Sequence, residues 1–153
     1  MPQKAEKKAE KEVAKVERTL CIVKPDAVGR QVTGKIVTMI EEAGLRIVAA
    51  RMTRLTREQA EAFYSVHREK GFFAGLVRFM TSGSILAAVL EGPGAIGRWR
   101  QLMGPTNSAQ APKGTVRGDF GTDVEKNAVH GSDGPDTART EVAFFFSEVD
   151  LCG

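Results

Sequence analysis

The sequence has few cysteines and no long apolar runs. Only Cys21 and Cys152 occur among 153 residues, and they show neither metal-ligand spacing nor a disulfide framework. No apolar run approaches the roughly 20 residues of a membrane span, and the N-terminus lacks the apolar stretch of a signal peptide. The expectation is a protein with two free thiols, no membrane partner and a cytoplasmic location.

The chain also lacks a strong excess of charge of one sign. Its net charge is +3, with 42% hydrophobic and 27% charged residues, which is typical of one globular domain. Residues 1–16 are rich in Lys, Glu and Ala and predict a disordered tail, for which a partner-binding arm stays open as an alternative. Residues 17–153 are predicted to form a single domain. The small positive excess suits a polyanionic ligand but does not by itself indicate a nucleic acid.

Apolar periodicity predicts alternating strands and helices. A buried run predicts the first strand, Pro25 ends it, and Thr56 with Gln59 has the spacing of a helix capping box. Strands are predicted over residues 19–23, 46–55, 85–90 and 144–149. Helices are predicted over residues 33–42 (capped by Thr33 and ended by Gly44), 56–67, 72–81, 94–102 and 136–142 (capped by Asp136), with one short turn over 123–127. This order predicts an α+β fold, a ferredoxin-like α/β sandwich with a four-stranded antiparallel sheet and helices on one face.

One of the two histidines lies in a context that favours catalysis. His67 falls on a predicted helix among charged residues, which favours a solvated surface role. His130 instead follows a long polar loop, residues 103–120, and precedes Gly131, Ser132 and Asp133. A neutral imidazole is a competent nucleophile near neutral pH when a partner holds its second nitrogen. Glu141 is a candidate partner, although a solvated helix carboxylate is the alternative interpretation.

Cationic and polar residues near the predicted loops could hold phosphate groups. They are Lys24, Arg100, Thr106, Asn107, Arg117 and Asn127. Phosphoryl transfer depends mainly on positioning and charge stabilisation, and arginine binds phosphate oxygens in a bidentate manner. The chain has neither a Walker A motif nor a G-x-G-x-x-G loop, so a nucleotide site would have to be built differently.

Several motifs resemble those of the nucleoside diphosphate kinases, in the same order along the chain. They are Lys24-Pro-Asp26, Tyr64, Phe72-Phe-Ala-Gly-Leu76, Thr106-Asn107, Gly114-Thr-Val-Arg-Gly-Asp-Phe120 and Asn127-Ala-Val-His-Gly-Ser-Asp133. The resemblance extends from Glu17 to about Val149, and the last motif is the most specific. Phe63 departs from it, since the family often has histidine there.

The resemblance implies a ping-pong reaction with broad base specificity that maintains nucleotide pools. His130 would accept the γ-phosphate of a nucleoside triphosphate and pass it to a nucleoside diphosphate. Mg²⁺ would be the cofactor, held mainly by the nucleotide phosphates, with Asp133 as a further ligand through water. A homo-oligomer, either a tetramer or a hexamer built from dimers, would be expected.

The resemblance also assigns roles to individual side chains. Glu141 and Ser132 would orient His130, and Lys24 and Tyr64 would complete the catalytic set. The nucleotide would be bound by Lys24 and Asn127 near the ribose and the transferred group, by Arg100, Thr106 and Arg117 at the outer phosphates, and by Phe72, Leu76 and Val124 at the base.

Two other functions remain as alternatives. A non-catalytic member of the family could use the fold as a binding module, but the intact His130, Lys24 and Glu141 argue against it. A nucleic-acid-binding protein could use the basic tail, but this tail mixes Lys with Glu and has no interleaved aromatic residues. A nucleic acid is therefore not expected as the main partner.

Overall fold

Strand β1 (Val16–Val23) lies inside a four-stranded sheet with the order β2-β3-β1-β4. The other strands are β2 (Arg46–Thr53), β3 (Ile85–Pro93) and β4 (Val129–Gly131), and every neighbouring pair is antiparallel. This computed structural model describes residues 15–153. The predicted tail lies outside the described residues except at its end, where Val16 already belongs to β1.

Seven α-helices accompany the sheet in the described part of the chain. They are α1 (Pro25–Gly29), α2 (Thr33–Glu42), α3 (Arg57–Phe63), α4 (Phe73–Met80), α5 (Ala95–Met103), α6 (Val116–Phe120) and α7 (Pro135–Phe145). Short 3₁₀ turns cover Ser65–His67, Ser108–Gln110 and Glu148–Asp150. This is the predicted ferredoxin-like α+β architecture, and none of the helices over residues 15–153 is long and apolar enough to cross a membrane.

Side chains of β1 are buried on both faces of the sheet. Leu20 and Ile22 belong to one apolar cluster, which includes residues of α3, α4 and α7. Cys21 and Val23 belong to a second cluster, which includes residues of α1, α2, α5 and α6. The prediction of helices on one face is therefore wrong. Burial on both faces explains why the apolar residues of β1 are consecutive rather than alternating.

Several predicted helix ends are confirmed and others move. Thr56 Oγ1 accepts a hydrogen bond from Gln59 N at 3.1 Å, and Gln59 Oε1 accepts one from Thr56 N at 3.0 Å, so the capping box is present. Gly44 follows α2 with φ +80°, a conformation that favours glycine. Thr33 and Asp136 are not caps, however, because Val32 and Gly134 occupy the N-cap positions.

The last predicted strand is wrong, and the fourth strand lies earlier in the chain. Helix α7 extends through Phe145, and a 3₁₀ turn follows at Glu148–Asp150. A short apolar run does not distinguish a strand from the buried end of a helix. The fourth strand is instead Val129–Gly131, which is too short to show periodicity. Residues 123–126 form bends, and the helical turn predicted over residues 123–127 is not present. In this segment Asp123 Oδ1 accepts hydrogen bonds from the backbone N–H groups of Glu125 and Lys126.

Candidate active site

A cavity of about 380 Å³ gathers nearly all the predicted site residues. Its lining includes Lys24, Tyr64, Phe72, Leu76, Arg100, Thr106, Arg117, Val124, Asn127, His130, Asp133 and Glu141. Ser132 is the exception, because it is fully buried behind the lining. A larger groove of about 680 Å³ between the start of β1 and α7 contains none of the predicted site residues. The smaller cavity is the candidate active site because its lining combines a histidine with cationic side chains.

His130 lies in the edge strand β4, opposite Ile22 of β1. Its Nε2 atom is 2.8 Å from Oε1 of Glu141, which helix α7 provides. The Ser132 hydroxyl donates to the same carboxylate oxygen at 2.9 Å and accepts from the backbone N–H of Leu20 at 3.2 Å. The imidazole is therefore connected to β1 through a carboxylate and a hydroxyl.

This arrangement distinguishes the two imidazole nitrogens of His130. A carboxylate accepts hydrogen bonds, so the short contact to Glu141 places the proton of the neutral ring on Nε2. The lone pair is then on Nδ1, which is the nitrogen able to act as a nucleophile. The side chains of His130 and Glu141 are 20% and 19% exposed, which leaves the ring open to a ligand in the cavity but mostly screened from solvent.

The backbone around His130 is held by close packing against α5. Trp99 Nε1 donates a hydrogen bond to the carbonyl oxygen of His130 at 3.2 Å. A Cβ atom added to Gly131 would lie 2.5 Å from Cε of Met103 and 2.7 Å from Cδ1 of Trp99. Glycine is thus required here because no side chain fits between β4 and α5.

Lys24 follows β1 directly and is buried in the cavity wall. Its Nζ donates to Oδ1 of Asn127 at 2.7 Å, and its backbone N–H donates to the carbonyl oxygen of Ala128 at 2.8 Å. Burial and the neighbouring charge of Arg117 lower the pKa of Lys24 to about 8. The ammonium group is therefore poorly compensated by the protein, which favours an anionic ligand beside it.

The two arginines differ in how firmly the protein holds them. The guanidinium of Arg117 donates to the carbonyl oxygens of Gly104 at 2.9 Å and Val129 at 3.0 Å. Its buried Nε has no hydrogen-bond partner among the described residues. Burial and the charge of Arg100 lower the pKa of Arg117 to about 10. Arg100 is half exposed and pairs with Asp133 at 2.7 Å, an exchangeable surface ion pair.

Apolar residues form the mouth of the cavity. The side chain of Phe72, at the start of α4, is 51% exposed, and Val124 from the loop before β4 is 61% exposed. Leu76 lies one helical turn beyond Phe72. An exposed aromatic ring at a cavity mouth offers a stacking surface for a planar group.

Three further side chains in the cavity wall are aromatic or titratable, and only Tyr64 among them is a predicted site residue. His67 is half buried and its ring centroid lies 5.4 Å from that of Phe72, so the predicted surface role is wrong. Phe63 lies next to His130. The hydroxyl of Tyr64 is buried without a hydrogen-bond partner in the described region, and burial, together with Glu141, raises the pKa of Tyr64. The positions of these residues, 63, 64 and 67 on one helical segment, are the sequence feature that could have predicted their common location in the site.

The carboxylates of the site do not form a protein metal centre. Over residues 15–153, no three His, Cys, Asp or Glu side chains are grouped to hold a metal ion. Asp133 is a single carboxylate at the cavity wall. Such a donor set fits Mg²⁺ bound mostly by phosphate and water oxygens, as this ion prefers.

Comparisons with known proteins show which family this chain is similar to. The family profile described as "Nucleoside diphosphate kinase" matches residues 17–151. A nucleoside diphosphate kinase from Acidiphilium cryptum is 57% identical over 137 residues, covering 90% of this chain and 98% of the relative. The solved nucleoside diphosphate kinase of Aquifex aeolicus superposes with a TM-score of 0.88 at 49% identity, covering 90% of this chain and 99% of that one. The Halobacterium salinarum enzyme in complex with CDP gives 0.87 at 44% identity, covering 91% and 93%.

Proposed function

Because the chain belongs to the nucleoside diphosphate kinase family and is a phosphotransferase between nucleotides, we propose that His130 carries the transferred phosphoryl group. The single observation that supports this most is the contact between His130 Nε2 and Glu141 Oε1. With the proton on Nε2, the lone pair of the neutral ring is on Nδ1, where it is available for attack on a phosphate. The proposed reaction is a ping-pong exchange between a nucleoside triphosphate and a nucleoside diphosphate.

In the first half-reaction, the lone pair of His130 Nδ1 attacks the γ-phosphorus of the triphosphate. The bond from that phosphorus to the β,γ-bridging oxygen breaks, and the nucleoside diphosphate leaves. The imidazole gains positive charge as the P–N bond forms, and the Glu141 carboxylate stabilises this charge through Nε2–H. Ser132 holds the carboxylate by donating to the same oxygen.

In the second half-reaction, a terminal oxygen of the acceptor's β-phosphate attacks the phosphohistidine. The P–N bond breaks and its electron pair returns to Nδ1, so His130 is regenerated. Splitting the transfer in this way lets one site serve both nucleotides, with donor and acceptor binding in turn.

The cationic side chains supply the charge stabilisation in this proposal. Lys24, buried beside Asn127, faces the transferred group and the ribose region, while Arg100, Thr106 and Arg117 hold the outer phosphates. Arg100 can leave Asp133 for a phosphate at small cost, since exposed ion pairs are weak. Mg²⁺, where bound, neutralises charge on the nucleotide phosphates, and Asp133 would contact it through water.

Broad base specificity follows from the mouth of the cavity. Stacking on Phe72 is open to every base because each has a π-face, and Leu76 and Val124 are apolar. The CDP complex of the Halobacterium salinarum relative supports a nucleoside diphosphate as ligand.

Maintenance of nucleotide pools, a cytoplasmic location and a tetramer or hexamer built from dimers complete the proposal. Analytical ultracentrifugation would distinguish four subunits from six.

Labelling with [γ-³²P]ATP tests the proposal directly. The protein is incubated with labelled ATP and Mg²⁺, freed of nucleotide, and divided between acid and base treatment. The expected result is label that is lost in acid, retained in base and passed to GDP or CDP on addition. A His130→Asn variant should remain folded by circular dichroism and take up no label. Stable labelling of that variant, or absence of label on the wild-type protein, would contradict the proposal.

A further inference from the structure

Phe63 is a close neighbour of His130 that no step described above uses. It is the last residue of α3, and its ring lines the cavity. The ring centroids of Phe63 and His130 are 5.5 Å apart with the planes at 73°, an edge-to-face contact. Tyr64 makes a second edge-to-face contact with the imidazole at 6.4 Å. The nucleophile is therefore flanked by aromatic carbon as well as by Glu141.

Phe63 is itself held by the end of α7. Its ring lies 5.3 Å from that of Phe144 and 5.3 Å from that of Phe145. The same helix provides Glu141, so α7 supports His130 twice, once through the carboxylate and once through the aromatic ring. Aromatic pairs with this geometry stabilise the position of a ring by more than the free energy that comes from burying its surface.

A phosphohistidine in this cavity has two competing acceptors. With a nucleoside diphosphate, a phosphate oxygen attacks the phosphorus and the P–N bond breaks. With water, the water oxygen attacks, the P–N bond breaks, and the products are inorganic phosphate and His130, with one water proton passing to solvent. An apolar ring against the imidazole offers water no hydrogen-bond partner, and exclusion of water suppresses hydrolysis of reactive intermediates.

We propose that Phe63 is a positioning residue that holds the His130 ring and keeps water from its phosphorylated form, so that the phosphoryl group goes to a nucleotide instead of being hydrolysed. This inference rests on the proposed function, because it needs a phosphohistidine on His130. It assigns to Phe63 a role in fidelity of transfer rather than in the attack itself.

The test compares two rates for the ³²P-labelled enzyme after removal of nucleotide. One is the release of inorganic phosphate without acceptor, and the other is transfer to ADP in rapid mixing. In Phe63→Ala the ratio of hydrolysis to transfer should rise about two- to tenfold, the factor that corresponds to loss of an aromatic pair. Phe63→Leu keeps much of the apolar volume and should raise the ratio less, and it serves if the alanine variant does not fold.

Met52→Ala is the control. Met52 is a large apolar residue of β2 that is 53% exposed and does not line the cavity, so its loss should leave the ratio within twofold of wild type. A wild-type ratio in a folded Phe63 variant, or slower labelling with unchanged hydrolysis, would overturn the inference and leave the phosphohistidine intact. Failure of the wild-type protein to label at all would instead contradict the proposed function.

Discussion

The Nε2 atom of His130 lies 2.8 Å from the Oε1 atom of Glu141, although one residue belongs to the edge strand β4 and the other to helix α7. The two residues are 11 positions apart along the chain, and the segment between them turns from strand to helix, so that the carboxylate returns to the imidazole. This contact determines which nitrogen is available to a phosphate.

Replacement of Glu141 tests that contact. Glu141→Ala should lower kcat about 10- to 100-fold, because a hydrogen bond to a charged group contributes about 1.5–3 kcal/mol. Glu141→Gln keeps an acceptor oxygen without the charge and should lose less. Steady-state turnover with ATP and a diphosphate acceptor gives both values. The exposed Glu148 provides the control, and an Ala variant of Glu141 with the kcat of Glu148→Ala would contradict the assigned role.

Truncation of Phe72 tests the stacking surface. Phe72→Ala should weaken binding of nucleoside diphosphates by about 1–3 kcal/mol, the range measured for base–aromatic stacking. The loss should be similar for ADP, GDP and CDP, as isothermal titration calorimetry would show. Phe144→Ala removes a comparably exposed aromatic ring outside the cavity and should bind as wild type. Unchanged affinity in the Phe72 variant would mean that the base lies elsewhere.

The lowered pKa of Lys24 predicts that kcat/KM depends on pH. Its pKa is lowered to about 8 from the ordinary value of 10.5, so the ammonium loses its proton as pH rises through about 8. Because kcat/KM reports ionisation of the free enzyme, kcat/KM should decline above that pH. Lys24→Met should have a low kcat/KM that lacks this decline. A flat wild-type profile from pH 7 to 9.5, with the fold intact, would contradict the prediction.

The ionisation of Lys24 also affects stability, but in the opposite direction: kcat/KM should fall as pH rises, whereas the free energy of unfolding should increase. Between about pH 8 and 10.5 the unfolded chain keeps the proton on Lys24 while the folded chain has lost it. The contribution of Lys24 to the free energy of unfolding therefore rises with pH across that window. Urea unfolding of wild type and Lys24→Met at pH 7.5 and 9.5 would isolate this contribution as the difference between the two proteins.

Gly131→Ala tests the close approach of β4 to α5. The added methyl group would lie 2.5 Å from Met103 Cε and 2.7 Å from Trp99 Cδ1, so the free energy of unfolding should fall by about 1–3 kcal/mol. Thermal or urea unfolding measures it. Gly97→Ala is the matched control, because it lies inside α5 with no atom near the added Cβ and should stabilise by up to about 1 kcal/mol. Equal stability of the two variants would contradict the packing argument.

Several features of this protein could be predicted from the sequence because they depend on local patterns. The apolar run of β1, the capping box at Thr56 and the glycine after α2 report preferences of neighbouring residues, and the structure confirms each of them. The fold class followed from the alternation of predicted strands and helices, although the last predicted strand, over residues 144–149, is a helix end and a 3₁₀ turn. The chemistry of His130, its candidate partner Glu141 and the cations in the loops was recognisable from the residues themselves. The resemblance to a known family added Tyr64, Phe72, Leu76 and Val124 to the set that lines the cavity.

Other features depend on contacts between residues that are distant along the chain, and these are seen only in the folded structure. The three residues of β4 form a strand only because β1 pairs with them. The apolar run at Phe144 continues helix α7 instead of forming a strand, and this places Phe145 and Phe146 in the hydrophobic core. The proximity of Phe63 and His67 to the site, and the hydrogen bond that selects Nδ1 of His130, likewise come from packing between elements. Apart from the helical spacing of Phe63 and His67, such contacts leave no pattern in the sequence, since their energies are set by neighbours far along the chain.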